Sequence, residues 1–237
     1  MLFTNGKGAY SYTLGMHTVF SILYFNRQTA KMQQLRRERQ FECFFLEEIR
    51  GSKVGILGYG DIGREAARML QPLGLEVTGL RRSLDTPGRD EYDVLQVCGD
   101  AAMERIIAES DYLVNLLPKT PQTEGLFNVA TFAKMKRTAV YINLGRGDTQ
   151  KDSDLAAALR DGVIAGASLD VVEVEPLPPS SPLFDIDDDK LLLTPHNACM
   201  TTESFKGAIK RFVKLAKQFL ETGALEGVYK PHLEEGY

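Results

Sequence analysis

Three residues in this sequence could combine acid–base chemistry with anion binding, although they lie far apart along the chain. They are Arg146 in "INLGRGD", Glu175 in "VEVEPLP" and His196 in "LLLTPHNA". Each follows a short apolar run that reads as a β-strand. In open parallel sheets, ligands sit outside the carboxyl ends of the strands. Three strand ends would therefore bring a guanidinium, a carboxylate and an imidazole to one crevice. The chain has 3 histidines. His17 falls in an apolar helix and reads as core or interface, and His232 lies in the tail and reads as exposed. His196 alone has the placement for acid–base work.

A second group of residues suits phosphates. "KVGIL" runs into "GYGDIG", with Gly58, Gly60 and Gly63 in GxGxxG spacing between a strand and a helix. Gly58 permits the tight turn, Gly60 lets a pyrophosphate approach the backbone, and Gly63 lets helix and strand pack closely. The helix N-terminus then offers free N–H groups to the phosphates. In a unit that binds NAD, the next strand ends in a carboxylate that bonds the ribose hydroxyls. Here it ends "GLRRS": Arg81 takes that slot, Arg82 stands beside it, and the nearest downstream carboxylate is Asp85. Two readings stand. Either the arginines bind a 2′-phosphate, because a guanidinium makes charge-assisted paired bonds to phosphate oxygens, and NADP(H) is preferred; or they are solvated and NAD(H) binds.

These positions depend on an alternating pattern. From residue 53 onward, short apolar strands ("KVGIL", "LEVTGL", "DVLQV", "DYLVNLL", "AVYINL", "IAGASLDV", "LLLT") are interleaved with helices expected at 61–73, 101–109 and 152–161. Such a pattern means βαβ units: an α/β fold with a doubly wound parallel sheet, a Rossmann dinucleotide-binding domain. Residues 11–48 read as helical, beginning with a buried apolar stretch and continuing into the solvated run "KMQQLRRERQ". Residues 201–220 read as an amphipathic helix.

Bulk properties narrow the function classes. The 237 residues allow one large α/β domain, with 43% hydrophobic and 25% charged residues as in an ordinary globular protein. A net charge of -4 gives no general pull toward nucleic acid or an anionic membrane. Cys43, Cys98 and Cys199 stand apart with no CxxC, so free thiols in a reducing compartment are expected, with no disulfide framework and no metal site. No apolar run suits a bilayer crossing. A cytoplasmic location is the expectation, with organellar targeting upstream of Met1 left open.

At these residues the sequence resembles the D-isomer-specific 2-hydroxyacid dehydrogenases, the family of phosphoglycerate dehydrogenase and glyoxylate/hydroxypyruvate reductase. The stretches that carry the resemblance are "GILGYGDIGREAA", "LPKTPQTEGLFN", "INLGRG", "AGASLDVVEVEPLP" and "LLLTPHNA". The resemblance implies hydride transfer between NADP(H), or NAD(H), and a small 2-keto or 2-hydroxy acid such as glyoxylate or hydroxypyruvate. It implies that Arg146 holds the substrate carboxylate, that His196 is the acid/base, and that Glu175 pairs with it. The implied cofactor contacts are Gly58, Gly60, Asp61, Ile62, Gly63, Arg81, Arg82, Pro118, Thr123, Leu144 and, at the nicotinamide end, Asp170. It further implies a homodimer joined through the helix at 12–25 and the helix after it. Family members begin with a flavodoxin-like substrate domain. Residues 1–10 resemble its remnant, 11–200 the dinucleotide-binding domain, and 201–237 a helix and tail returning toward the substrate domain. The alternative is a non-catalytic dinucleotide-binding sensor or interaction module derived from such an enzyme.

Overall fold

The computed structural model describes residues 4–82, 84 and 87–225; His232, Asp85 and the "HLEEGY" tail lie outside them. Eight strands form one sheet: β1 (Lys53–Leu57), β2 (Glu76–Arg81), β3 (Gly88–Arg89), β4 (Leu95–Cys98), β5 (Tyr112–Asn115), β6 (Val140–Asn143), β7 (Gly166–Leu169) and β8 (Leu191–Leu193). Their order is β3-β4-β2-β1-β5-β6-β7-β8. Every pairing is parallel except β3 with β4. The helices are α1 (Ser11–Asn26), α2 (Thr29–Arg37), α3 (Asp61–Leu70), α4 (Asp100–Glu109), α5 (Val129–Phe132), α6 (Asp152–Arg160) and α7 (Thr202–Thr222). This is the doubly wound architecture that the alternation predicts. The strand order reverses between β1 and β5, the place at which open α/β sheets bind ligands.

Successive side chains in a strand face opposite ways, and the two sheet faces divide the core accordingly. Val54, Ile56, Val114 and Ile142 pack with Leu14 and Ile22 of α1 and with Ala66 and Leu70 of α3. Leu57, Leu113 and Tyr141 face the other side, with Ile107 of α4, Phe132 of α5 and Leu155 of α6. Burying each large side chain contributes about 1.5–3 kcal/mol, so the strands are anchored on both faces and their carboxyl ends form a rigid rim.

The amino-terminal region differs from the expected unbroken helix. Gln28 takes a left-handed φ of 48° between α1 and α2, and no helix follows Arg37 until α3. The "FECFF" segment is irregular and only loosely held, with Phe41 and Phe45 fully exposed while Gln28 donates to the Phe45 carbonyl at 3.1 Å and Lys31 lies over the Phe44 ring. A helix in a protein draws most of its stability from packing an apolar face, and this segment has none to pack. Nor is α1 buried all round: Leu14, Thr18 and Ile22 are covered, whereas Tyr12, Met16 and Phe20 are open. His17 is partly buried, its Nε2 has no hydrogen-bond partner among the described residues, and burial lowers its pKa from the ordinary value. The sequence pattern does not reveal β3 or α5, which are too short to show a period. Among the described residues, no helix is long and apolar enough to cross a membrane.

The loops after β6 and β7 touch through their backbones. A Cβ on Gly147 would stand 1.8 Å from the Val172 carbonyl oxygen, so only glycine fits there. Gly147→Ala should lower stability by about 1–3 kcal/mol, the usual cost of overpacking. Urea denaturation reads this directly, and an unchanged midpoint would mean that the two loops separate freely.

Candidate active site

The glycine-rich turn has the three features that a pyrophosphate cradle needs. Gly58 lies at φ 90°, and the N–H groups of Gly58 and Tyr59 donate to the Leu80 carbonyl at 3.2 and 2.7 Å. A Cβ on Gly60 would meet nothing within 4 Å, whereas one on Gly63 would lie 3.1 Å from Ile56 Cγ2. Gly60 therefore presents open backbone, and Gly63 lets α3 press on β1. No side chain caps the start of α3, which leaves its first N–H groups available to an anion. The Asp61 carboxylate accepts the Ser11 hydroxyl, so Asp61 offers a phosphate its backbone. Ile62 packs against the core beneath.

At the end of β2, Arg81 is exposed and donates to Gln96 Oε1 at 3.1 Å. Arg82 follows, also exposed. Across the crevice, β5 and β6 both end in asparagine, and both asparagines are fully buried. Asn115 donates to Tyr141 Oη at 2.9 Å and Thr149 Oγ1 at 2.7 Å, and accepts from Leu117 N at 3.1 Å. Asn143 donates to the Arg146 carbonyl at 3.2 Å and Gln150 Oε1 at 2.9 Å, and accepts from Gly145 N at 3.0 Å. Each amide thus shapes the loop that follows its own strand. In the loop after β5, Thr123 Oγ1 donates to the Pro118 carbonyl at 2.6 Å and accepts from Thr120 N at 2.8 Å. Leu144 is buried at the end of β6, with its N–H on the Asn115 carbonyl at 3.1 Å.

The remaining three positions follow β6, β7 and β8; the structure brings Glu175 and His196 into contact, whereas Arg146 is not among the residues that line their cleft. Arg146 is exposed three residues past β6, and its Nη1 rests on the Gly145 carbonyl at 2.8 Å. Past β7, Glu175 Oε1 accepts from Val172 N at 3.2 Å while Oε2 meets His196 Nδ1 at 2.7 Å. His196 itself holds a left-handed φ of 51°. The loop is kept in this shape by Asp170, which is 3% exposed. Asp170 Oδ1 accepts from Thr194 Oγ1 at 2.6 Å, Asn197 N at 3.0 Å and Ala198 N at 3.1 Å. Burial pushes the thiol of nearby Cys199 above its ordinary pKa, so it is no ready nucleophile. His196, Glu175 and Asp170 line a cleft of about 580 Å³ walled by Leu177, Phe184 and Leu193. A groove of about 490 Å³ lies at the opposite edge of the sheet. Its cations Lys53, Arg89 and Arg105 are paired with Glu109, Asp93 and Glu109, which leaves it without the chemistry of the cleft.

Sequence reading misses a supporting network. Gln150 donates to Asp152 Oδ1 at 2.8 Å, Asp152 Oδ2 accepts from Glu173 N at 3.0 Å, and Glu173 Oε1 pairs with Lys151 at 2.6 Å. Burial raises the Asp152 carboxyl above the ordinary range. The network ties the start of α6 to the segment that bears Glu175. One signal was available: "DYLVN" and "VYIN" each place an asparagine at the close of an otherwise apolar strand.

Residues 19–198 match the family described as "D-isomer specific 2-hydroxyacid dehydrogenase, NAD binding domain". The chain is 33% identical over 187 residues to glycerate dehydrogenase of Methylorubrum extorquens, covering 78% of this chain and 55% of that protein. The chain thus spans about half the length of that curated relative. Among solved structures, it superposes with a TM-score of 0.82 on the NADPH-dependent glyoxylate/hydroxypyruvate reductase of Sinorhizobium meliloti in complex with NADP and sulfate, at 32% identity, covering 96% of this chain and 70% of that one. A D-isomer specific 2-hydroxyacid dehydrogenase of Xanthobacter autotrophicus Py2, solved with NADPH and MES, gives a TM-score of 0.86 at 33% identity, covering 99% and 94% of the two chains.

Proposed function

We propose that this chain, which belongs to the D-isomer specific 2-hydroxyacid dehydrogenase family, reduces small 2-keto acids of the glyoxylate or hydroxypyruvate kind with NADP(H) in preference to NAD(H). The observation that carries the reading is the 2.7 Å contact between His196 and Glu175, set in a cleft at the same sheet edge as the glycine-rich turn. The reading assigns residues 11–200 to the dinucleotide-binding unit. The S. meliloti enzyme's NADP complex and the two arginines after β2 support the phosphorylated cofactor.

When bound, the nicotinamide supplies the hydride. The protein's residues do the rest. The Arg146 guanidinium takes the substrate carboxylate with two parallel N–H donors. Glu175 holds His196 by Nδ1, which leaves Nε2 as the nitrogen that delivers a proton to the carbonyl oxygen as it is reduced. Leu177, Phe184 and Leu193 give the cleft apolar walls that limit water. Because the His196–Glu175 pair is 50% and 37% exposed at its side chains, it adds little to stability; its value lies in orienting the ring.

Self-association completes the proposal. Tyr12, Met16, Phe20, Met32, Phe41 and Phe45 are all exposed large hydrophobics on α1, α2 and the segment after α2, and such a patch seldom stays bare. A second copy of the chain related by a two-fold axis would cover it.

Three outcomes are expected. His196→Ala should lower turnover of a 2-keto acid by about 10²- to 10⁴-fold while cofactor affinity, read by fluorescence titration, holds; unchanged turnover removes His196 from the proton transfer, and no turnover in the wild type favours a binding module. NADPH should bind about ten- to a hundredfold more tightly than NADH, the worth of one or two charge-assisted hydrogen bonds, and Arg81→Asp should reverse the order; equal affinities would leave the arginines merely solvated. Light scattering at micromolar concentration should give the mass of a dimer, and a stable monomer would count against the two-fold contact.

A further inference from the structure

One side chain of the glycine-rich turn has no part in the reading above. Tyr59 stands between Gly58 and Gly60, yet it is 1% exposed. Its ring lies across β2: a Cβ on Gly79 would come within 2.3 Å of Tyr59 Cγ. The ring thus fills the space that a side chain in the middle of β2 would take. Beyond it, the phenol donates to Asp90 Oδ2 at 2.7 Å. Burial first, and the Asp90 carboxylate second, push the phenol far above its ordinary pKa, so the group is a permanent donor.

Asp90 closes the turn between β3 and β4. Its Oδ1 accepts from Tyr92 N at 3.0 Å and Val94 N at 3.1 Å, and its own N–H donates to the Val94 carbonyl at 3.1 Å. β3 and β4 leave this turn paired at Gly88 and Gln96, and Gln96 Oε1 accepts from Arg81 Nη1 at 3.1 Å. The glycine-rich turn therefore holds both the end of β2 and the β3–β4 turn. Two N–H groups hold the carbonyl of Leu80, the residue before Arg81, and one hydroxyl holds Asp90, the residue after β3.

We infer that Tyr59 is a positioning residue for cofactor selectivity: it fixes the β3–β4 turn, and through Gln96 the Arg81 guanidinium, relative to the pyrophosphate turn and so sets how much the chain gains from a 2′-phosphate. The inference rests on the NADP(H) reading given above. A pyrophosphate and a 2′-phosphate on one dinucleotide are a limited distance apart. Two protein sites already held at that separation bind both without an ordering cost at the moment of binding. If the tie is cut, the β3–β4 turn shifts, Gln96 shifts with it, and the Arg81 guanidinium is no longer held for the 2′-phosphate. NADH uses only the backbone cradle and is spared.

Tyr59→Phe keeps the ring and its packing and removes only the donor. Wild type, Tyr59→Phe, Arg81→Gln and the double variant are titrated by fluorescence with NADPH and with NADH, with thermal unfolding run beside them. In Tyr59→Phe, NADPH affinity should fall about three- to tenfold, and NADH affinity should change by less than about twofold. In the Arg81→Gln background the same change should leave the NADPH/NADH ratio where it was, because the two residues act on one interaction. A tyrosine with a merely structural role would lower the unfolding midpoint or weaken both cofactors alike, leaving the ratio unmoved, and that result overturns the inference. If wild type shows no preference for NADPH, the cofactor reading fails and the inference fails with it. If wild type prefers NADPH and Arg81→Gln removes the preference while Tyr59→Phe does not, the inference alone is lost.

Discussion

A single buried carboxylate governs the loop that bears His196. Asp170, 3% exposed at the carboxyl end of β7, would cost several kcal/mol to bury uncompensated. It is compensated by the Thr194 hydroxyl and the N–H groups of Asn197 and Ala198. Hydrogen bonds to a charged group are worth about 1.5–3 kcal/mol each. The left-handed backbone at His196 costs about 1–3 kcal/mol. The carboxylate therefore wins, and the loop holds an imidazole in a conformation it would not adopt by itself. The Glu175–His196 pair could not do this, since exposed pairs contribute about 1 kcal/mol or less. Division of labour follows: Asp170 supplies the rigidity, Glu175 the direction.

The same logic, without charge, operates one and two strands away. Asn115 and Asn143 are fully buried where β5 and β6 end, and each has both its donor and its acceptor engaged. A neutral amide at a strand end can bind the returning loop at a smaller desolvation cost than a carboxylate. The rim of the sheet is thus built from three buried polar side chains in succession, each turning the chain sharply after its strand.

How much of this can be read in the sequence depends on whether a feature is periodic. The runs "KVGIL" and "LEVTGL" alternate or are wholly apolar over four or more residues, and they match β1 and β2 closely. The glycine-rich turn is legible because its strand and helix flank it. "DYLVNLL" reads as a strand to residue 117, but β5 stops at Asn115, where the side chain hydrogen-bonds the chain into a turn. The charged and aromatic stretch after residue 37 has helix-compatible composition and no seam to pack, and composition alone cannot show that. The strand ends that carry Arg146, Glu175 and His196 are legible, yet the Glu175–His196 contact depends on β7 and β8 being neighbours, which is a property of strand order. Burial of Asn115, Asn143 and Asp170 is invisible for a related reason: a polar residue after an apolar run looks the same whether water or backbone satisfies it.

The backbone contact between Gly147 and the Val172 carbonyl also bears on how such a site can diversify. An insertion between Leu144 and Gly147, or between Leu169 and Val172, would displace one side of this close contact. The spacing from strand end to guanidinium, and from strand end to carboxylate, is therefore constrained by packing. The outer wall is under no such restriction: Leu177 and Phe184 sit on a segment with open surface beside it. Descendants of this scaffold could change which molecules they admit by exchanging or lengthening that wall, while the inner spacing stays the same.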